Sequence, residues 1–263
     1  MDSHCHTLLP PQLSILALLL CIFLSVESAI IPSNIATDKE ALISVKEALL
    51  IVPPSFSWNL NSSPCSNWTG VVCSKHAQSH RVVGLDLSDL GLTGSISPHI
   101  GNLSFLRSLQ LQNNKLTGTI PTQIVNLFRL RSLNLSSNTI QGPLPSNMSH
   151  LTALEILDLA GNNITGRIPD DIYSQRNLRV LNMGRNNFFG SIPSSISNLS
   201  STLTNLNLGT NSLSGMIPSE LGQLNNLQEL DLSGNKFTGT VAPLHIQHYF
   251  IGFVYGCFKP TMG

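Results

Sequence analysis

The chain has 263 residues, enough for one or two domains, and its 14 Lys plus Arg balance its 14 Asp plus Glu. A formal charge of zero removes the basic surplus that nucleic acid or an anionic membrane surface would require. Charged residues make up only 11%, where about a quarter is usual, so apolar packing and amide hydrogen bonds must carry more of the interior than ion pairs do.

The first element in chain order is the apolar run LSILALLLCIFLSV at residues 13–26. A bilayer span needs roughly 20 apolar residues, so this run is short for one. Small residues near Ser28 and Ala29 follow it, which predicts a cleaved secretory signal over residues 1–29. Its leading segment carries no Lys or Arg, which leaves a retained anchor or a start-site artefact as the alternatives. Cleavage would remove Cys5 and Cys21 and leave Cys65, Cys73 and Cys257.

The next element is helical. TDKEALISVKEALL opens with Thr37 and has Glu40 three residues on, the pattern of a capping box. Ala41, Leu42, Val45, Ala48 and Leu49 recur at helical spacing, and Pro53 and Pro54 end the pattern. FSWN and PCSNWTGVVC follow, so residues 30–81 form a unit ahead of what comes next.

From Val82 the sequence repeats. An imperfect copy, VVGLDLSDLGLTGSISPHIGNLSF, is followed by copies starting at Leu106, Leu130, Leu154, Leu178, Leu203 and Leu227. The period is 24, with one step of 25 between Leu178 and Leu203. The shared L-x-x-L-x-L core alternates with period two and predicts a short strand with one buried face, as in Leu109 and Leu111 or Leu133 and Leu135. The Asn column (Asn114, Asn138, Asn162, Asn186, Asn211 and Asn235) predicts a ladder, because a buried amide is costly unless it bonds backbone groups. The Gly column from Gly94 to Gly239 permits a turn at positive φ, and Pro121, Pro145, Pro169, Pro193 and Pro218 fix an extended entry into the outer side of the coil. One repeat cannot bury its leucines alone, so seven copies over residues 82–243 must stack. The predicted fold is a leucine-rich repeat solenoid: a curved right-handed coil with short parallel strands on its concave face.

The L-x-G-x-I-P form of the repeat resembles the plant-specific class of leucine-rich repeats. The order of helix, Trp, Cys and W-x-G-V-x-C ahead of it resembles the N-terminal cap of plant leucine-rich repeat receptor ectodomains. SPHIGNLSFLRSLQLQNNKLTGTIP is similar in particular to receptor-like kinases that perceive microbial patterns. The resemblance implies a solenoid that binds a peptide, glycan or protein outside the cell, with a possible co-receptor. In the full-length family a membrane helix and a cytoplasmic kinase follow. It places this chain in the extracellular space or cell wall, and the full-length family at the plasma membrane, in defence or developmental signalling.

Cys65 and Cys73 lack the second ligand pair of a zinc site, although His76 and His80 lie nearby. An oxidising compartment favours a disulfide between them, which would lock Trp68 and the preceding helix over the apolar edge of the first coil. Cys257 then stands as an incidental thiol, with intermolecular pairing or metal binding beside His245 and His248 as alternatives. Residues 244–263 form a divergent tail: Ala242 stands where Pro is expected and His245 where Ile or Leu is. The expectation is a truncated ectodomain. The rival is a short secreted protein whose tail caps the last coil through Tyr249, Phe250, Phe253 and Phe258.

Sequons occur at Asn61, Asn67, Asn102, Asn134, Asn147, Asn163 and Asn198. Asn61, Asn102 and Asn147 rank above Asn134, whose strand position would put a glycan on the concave face. On that face Arg107, Arg131, Arg179 and Arg185, with Glu155 and Asp158, form a candidate polar stripe for an extended ligand. No nucleophile, base and orienter set is present, nor a phosphate loop or kinase motif, so neither catalysis nor a cofactor or metal is expected. The alternative function is a secreted inhibitor of microbial wall-degrading enzymes, resembling the polygalacturonase-inhibitor class that shares these repeats.

Overall fold

The computed structural model describes residues 34–75, 80–199 and 201–239. The expected signal segment, His76, the tail and Cys257 lie outside them. Helix α1 spans Ile35–Glu47. Its N-cap is Asn34, whose Oδ1 accepts the amides of Ala36 and Thr37, while the Asn34 amide donates to Thr37 Oγ1 at 3.1 Å. Thr37 is therefore the third helical residue closing the box, not its cap, and Glu40 is exposed. The sequence alone misplaces the start because Asn caps as well as Thr does. The end also differs. Ala48 is the C-cap, and Leu49–Ile51 leaves the helix as strand β1 before either proline is reached. Tertiary pairing outweighs helical spacing here: the Ser95 amide donates to Ala48 O, and Leu49 lies opposite Gly94 in an antiparallel pair.

Strand β2 (Val71–Cys73) follows, then β3 (Val82–Asp86) and β4 (Thr93–Ser95), β5 (Ser108–Gln110) and β6 (Lys115–Thr117). The alternation continues with β7 (Ser132–Asn134), β8 (Gln141–Gly142), β9 (Ile156–Asp158), β10 (Asn163–Gly166), β11 (Val180–Asn182) and β12 (Asn187–Gly190). It ends with β13 (Asn205–Asn207), β14 (Ser212–Met216), β15 (Glu229–Asp231) and β16 (Lys236–Thr238). The odd strands β3 to β15 run parallel in one sheet, with β2 antiparallel at its N-terminal edge. The even strands from β4 onward flank it in two smaller sheets, β4 and β6 with β1, and β8 to β16, and short 3-10 helices such as Pro98–Asn102 and Thr122–Asn126 return the chain to the next coil. This is a leucine-rich repeat solenoid, with the main sheet on its concave face.

Register follows from the leucines. Leu85, Leu109, Leu133, Leu157, Leu181, Leu206 and Leu230 sit side by side across the main sheet, each at most 1% exposed. A slip of one residue would turn that column to solvent, and full burial of each leucine is worth about 1.5–3 kcal/mol. Behind the strands the amides of the Asn column stitch the coils. Asn114 Nδ2 donates to Leu87 O of the previous coil at 2.8 Å and to Leu111 O of its own, while its Oδ1 accepts the Leu92 amide at 2.9 Å. Asn138, Asn162, Asn186, Asn211 and Asn235 repeat the pattern, reaching back to Leu111, Leu135, Leu159, Met183 and Leu208. Each amide thus satisfies backbone groups that the short strands leave unpaired.

The cap is built differently. Asp38, fully buried in the first turn of α1, takes a two-pronged contact from Arg81: Nε to Oδ2 at 2.9 Å and Nη2 to Oδ1 at 2.7 Å. Asp38 Oδ2 also accepts the Val82 amide at 2.9 Å, so one carboxylate ties the helix to the first repeat strand. Trp58 and Trp68 are buried and stacked with ring centres 5.3 Å apart. Their indole N–H groups donate to Thr69 O and Ser62 Oγ. Cys65 and Cys73 form a disulfide. It closes the loop that carries Trp68 and feeds β2, which pairs antiparallel with β3. Gly70 makes that pairing possible, since a Cβ there would lie 1.8 Å from Asp86 O.

Candidate functional site

The main sheet presents three columns of residues between its buried leucines. The first is Val83, Arg107, Arg131, Glu155, Arg179, Thr204 and Gln228. Each amide from Arg107 onward donates to the carbonyl of the same position one coil earlier, at 2.7–2.8 Å. The backbone is thus committed to the ladder, and the side chains supply the chemistry of the face. Arg107, Arg131 and Arg179 are exposed. Arg131 Nη1 donates to Glu155 Oε1 at 3.2 Å, so two members of the predicted stripe offset one another. Among the described residues, Arg107 and Arg179 have no such partner.

The column at the strand ends is Asp86, Gln110, Asn134, Asp158, Asn182, Asn207 and Asp231. Except at Gln110, a side-chain oxygen accepts the amide two residues on, closing a turn as the chain leaves the sheet. Asp158 does this for Ala160 at 3.0 Å. Burial raises its carboxyl above the usual carboxylate range, while the Ala160 amide and the Asn182 side chain pull the other way. The carboxylate predicted for a ligand is therefore occupied as a strand terminator. Asn134 is bound in the same manner, to the Ser136 amide and hydroxyl.

Arg185 lies outside the strand columns. It holds a left-handed backbone, φ 54°, in a turn position shared with Asp89, Asn113, Ser137 and Thr210. Its amide donates to Gly209 O at 2.8 Å, and its side chain is exposed. The middle column is Gly84, Ser108, Ser132, Ile156, Val180, Asn205 and Glu229. Ile156, 38% exposed, lies directly across from half-buried Val180. This apolar spot between the arginines escaped sequence reasoning, which attended to charge. The available signal was a pair of β-branched residues at consecutive solvent-facing positions. The Asp38–Arg81 pair also escaped it, because nothing in the spacing of residues 43 apart signals contact.

Of the sequon residues, Asn61, Asn67, Asn102, Asn147, Asn163 and Asn198 are all exposed. Asn67 and Asn147 hold positive φ, at 67° and 65°, and Asn163 accepts a hydrogen bond from the Asn187 side chain. Among the described residues, no group of three or more His, Cys, Asp or Glu is gathered to hold a metal, and no helix is long and apolar enough to cross a membrane.

Residues 85–242 match the family described as "Leucine-rich repeat region", and residues 35–74 match "Leucine rich repeat N-terminal domain". The chain belongs to the leucine-rich repeat family. It is 55% identical over 58 residues to the LRR receptor-like serine/threonine-protein kinase EFR of Arabidopsis thaliana, covering 22% of this chain and 5% of that protein. It is 44% identical over 87 residues to the receptor kinase-like protein Xa21 of Oryza sativa subsp. japonica, covering 31% of this chain and 8% of that one. This chain therefore spans less than a tenth of either relative. Among solved structures it is similar to PEPR1–AtPEP1, with 32% identity and a TM-score of 0.76 over 85% of this chain and 32% of that one. It is also similar to the Arabidopsis receptor kinase HAESA in complex with the peptide hormone IDA and the co-receptor SERK1, with 31% identity and a TM-score of 0.65 over 78% of this chain and 39% of that one.

Proposed function

We propose that this chain is an extracellular ligand-recognition module of the plant receptor-kinase type, acting in signalling without a catalytic step of its own. It binds an extended peptide on the concave sheet and can engage a co-receptor. One observation carries the reading: seven coils hold their backbone in a closed ladder while the outward columns vary freely from coil to coil, as a surface that encodes specificity does. The likeness to HAESA, solved in complex with a peptide hormone, supports a peptide as the ligand. Relatives of the receptor-kinase class favour recognition in signalling over enzyme inhibition. In this reading Asn61, Asn102 and Asn147 carry glycans, since all three are exposed and none lies on the main sheet.

The test is selection of a displayed library of random dodecapeptides on the full chain produced through a secretory pathway. The expected result is a set of enriched peptides whose affinity falls when Arg107, Arg131 and Arg179 are changed together to Ala. An absence of enrichment, or binders indifferent to the triple change, would overturn the reading.

A further inference from the structure

The charges of the concave face are not spread evenly. The four middle coils carry Arg107, Arg131, Arg179 and Arg185 against Glu155 and Asp158, an excess of two positive charges. The outer coils carry only acids on this face, Asp86 and Asp89 at one end and Glu229 and Asp231 at the other. The carboxylates of the strand columns are also engaged. Asp86 accepts from the Ser88 amide and hydroxyl, Glu155 from Arg131, Asp158 from the Ala160 amide, Glu229 from the Asn205 side chain, and Asp231 from the Ser233 amide and hydroxyl. Arg107 and Arg179 have no comparable partner among the described residues. They stand on either side of the Arg131–Glu155 pair and of exposed Ile156, which lies two coils from Arg107 and one from Arg179, while Val180 shares the strand that follows Arg179.

We infer that this face takes an extended peptide running across the coils, with two acidic side chains four residues apart and an apolar side chain between them. The inference rests on the peptide-recognition reading above and adds the chemistry and register of the ligand. Arg107 and Arg179 are three coils apart, which at about 4.8 Å per strand is about 14 Å. Four residues of extended chain cover about 13 Å, and residues i, i+2 and i+4 point to the same side. One face of such a peptide therefore offers an acid to Arg107, an apolar side chain at i+2 within about one strand spacing of Ile156, and an acid to Arg179. The acidic outer coils repel the same peptide if it shifts toward either end, so they set its register. A ligand lying along the strands would find their hydrogen-bonding groups already used within the sheet.

The enriched dodecapeptides test this directly. Expected is an acid at i and i+4 with an apolar residue at i+2. Arg107→Glu or Arg179→Glu should weaken binding by about tenfold or more, and a peptide with Lys replacing the matching acid should regain most of the loss on that variant. Ile156→Ser should remove the preference for an apolar residue at i+2. Both arginines and Ile156 are exposed, and unchanged melting of the variants separates lost recognition from lost folding. Binders that lack the paired acids yet still lose affinity in the triple Ala variant would overturn this inference and leave peptide recognition standing, whereas binders indifferent to the arginines would remove both. A library with no enrichment at all would remove both.

Discussion

The cap and the repeats solve the same problem, covering leucines, by opposite means. In the repeats the same Asn bonds recur in each coil after the first, so the loss of one set leaves other copies of it elsewhere. In the cap each bond is present once: one buried ion pair, one stacked pair of tryptophans, one disulfide. Periodic structure can spread its stability over a sum of like terms, whereas an end that must stop the period depends on individual residues.

The sharpest way to break the comparison is Asp38→Ala. It removes the buried countercharge of the Arg81 guanidinium, whose side chain is 3% exposed, and frees the Val82 amide. A loss of about 3–5 kcal/mol is expected by urea denaturation. A loss under about 1 kcal/mol would mean the ion pair does not anchor the cap. Next is Asn138→Ala within the repeats, which removes the partner of the Leu116 amide and one of the two amide donors to Leu111 O and should cost about 1–3 kcal/mol. Asn235→Ala should cost less, because water reaches that half-buried site; equal losses would mean that burial does not set the size of the effect.

Changing Cys65 and Cys73 together to Ser should cost about 2–3 kcal/mol for a loop with a sequence separation of 8. Reduced, alkylated protein that kept its melting temperature would refute this. Arg131→Ala should change stability by less than about 1 kcal/mol, since that guanidinium is 62% exposed. A larger change would assign the concave pair a structural role as well as a surface one.

The smallest effect is expected to show in its sign. Burial raises the Asp158 carboxyl above its ordinary value of 3.8, so the folded state holds that proton more tightly than the unfolded state does. Its contribution is fully present below pH 3.8 and is lost as pH rises through the raised folded value. Asp158→Asn keeps an oxygen for the Ala160 amide, as Asn134 and Asn182 do at their own turns. Melting curves from pH 3 to pH 7 should therefore show the variant gaining on the parent protein as pH rises. The opposite slope would contradict the assignment of burial as the dominant cause.

The repeats were legible because their signals are local and recur. Leu109, Asn114 and Gly118 announce a strand, an amide rung and a turn at fixed offsets, and seven repetitions average out any one misleading residue. The cap helix had no such redundancy. Thr37 and Glu40 imitated a box that Asn34 and Thr37 form, and Leu49 kept helical spacing while pairing as a strand. On the concave face the sequence located the outward positions but could not tell which charges were free. Glu155 and Asp158 both read as ligand-facing carboxylates, yet one pairs with Arg131 and the other closes a turn.

The sequence by itself thus determined the coil, its period, the direction each leucine faces and the family, because these follow from residue order within about 24 positions. Only the tertiary structure decided how the first coil is closed and which concave-face arginines have no ion-pair partner among the described residues. Those outcomes depend on side chains brought together across coils or from 43 residues away, and no local pattern records a contact made at that distance.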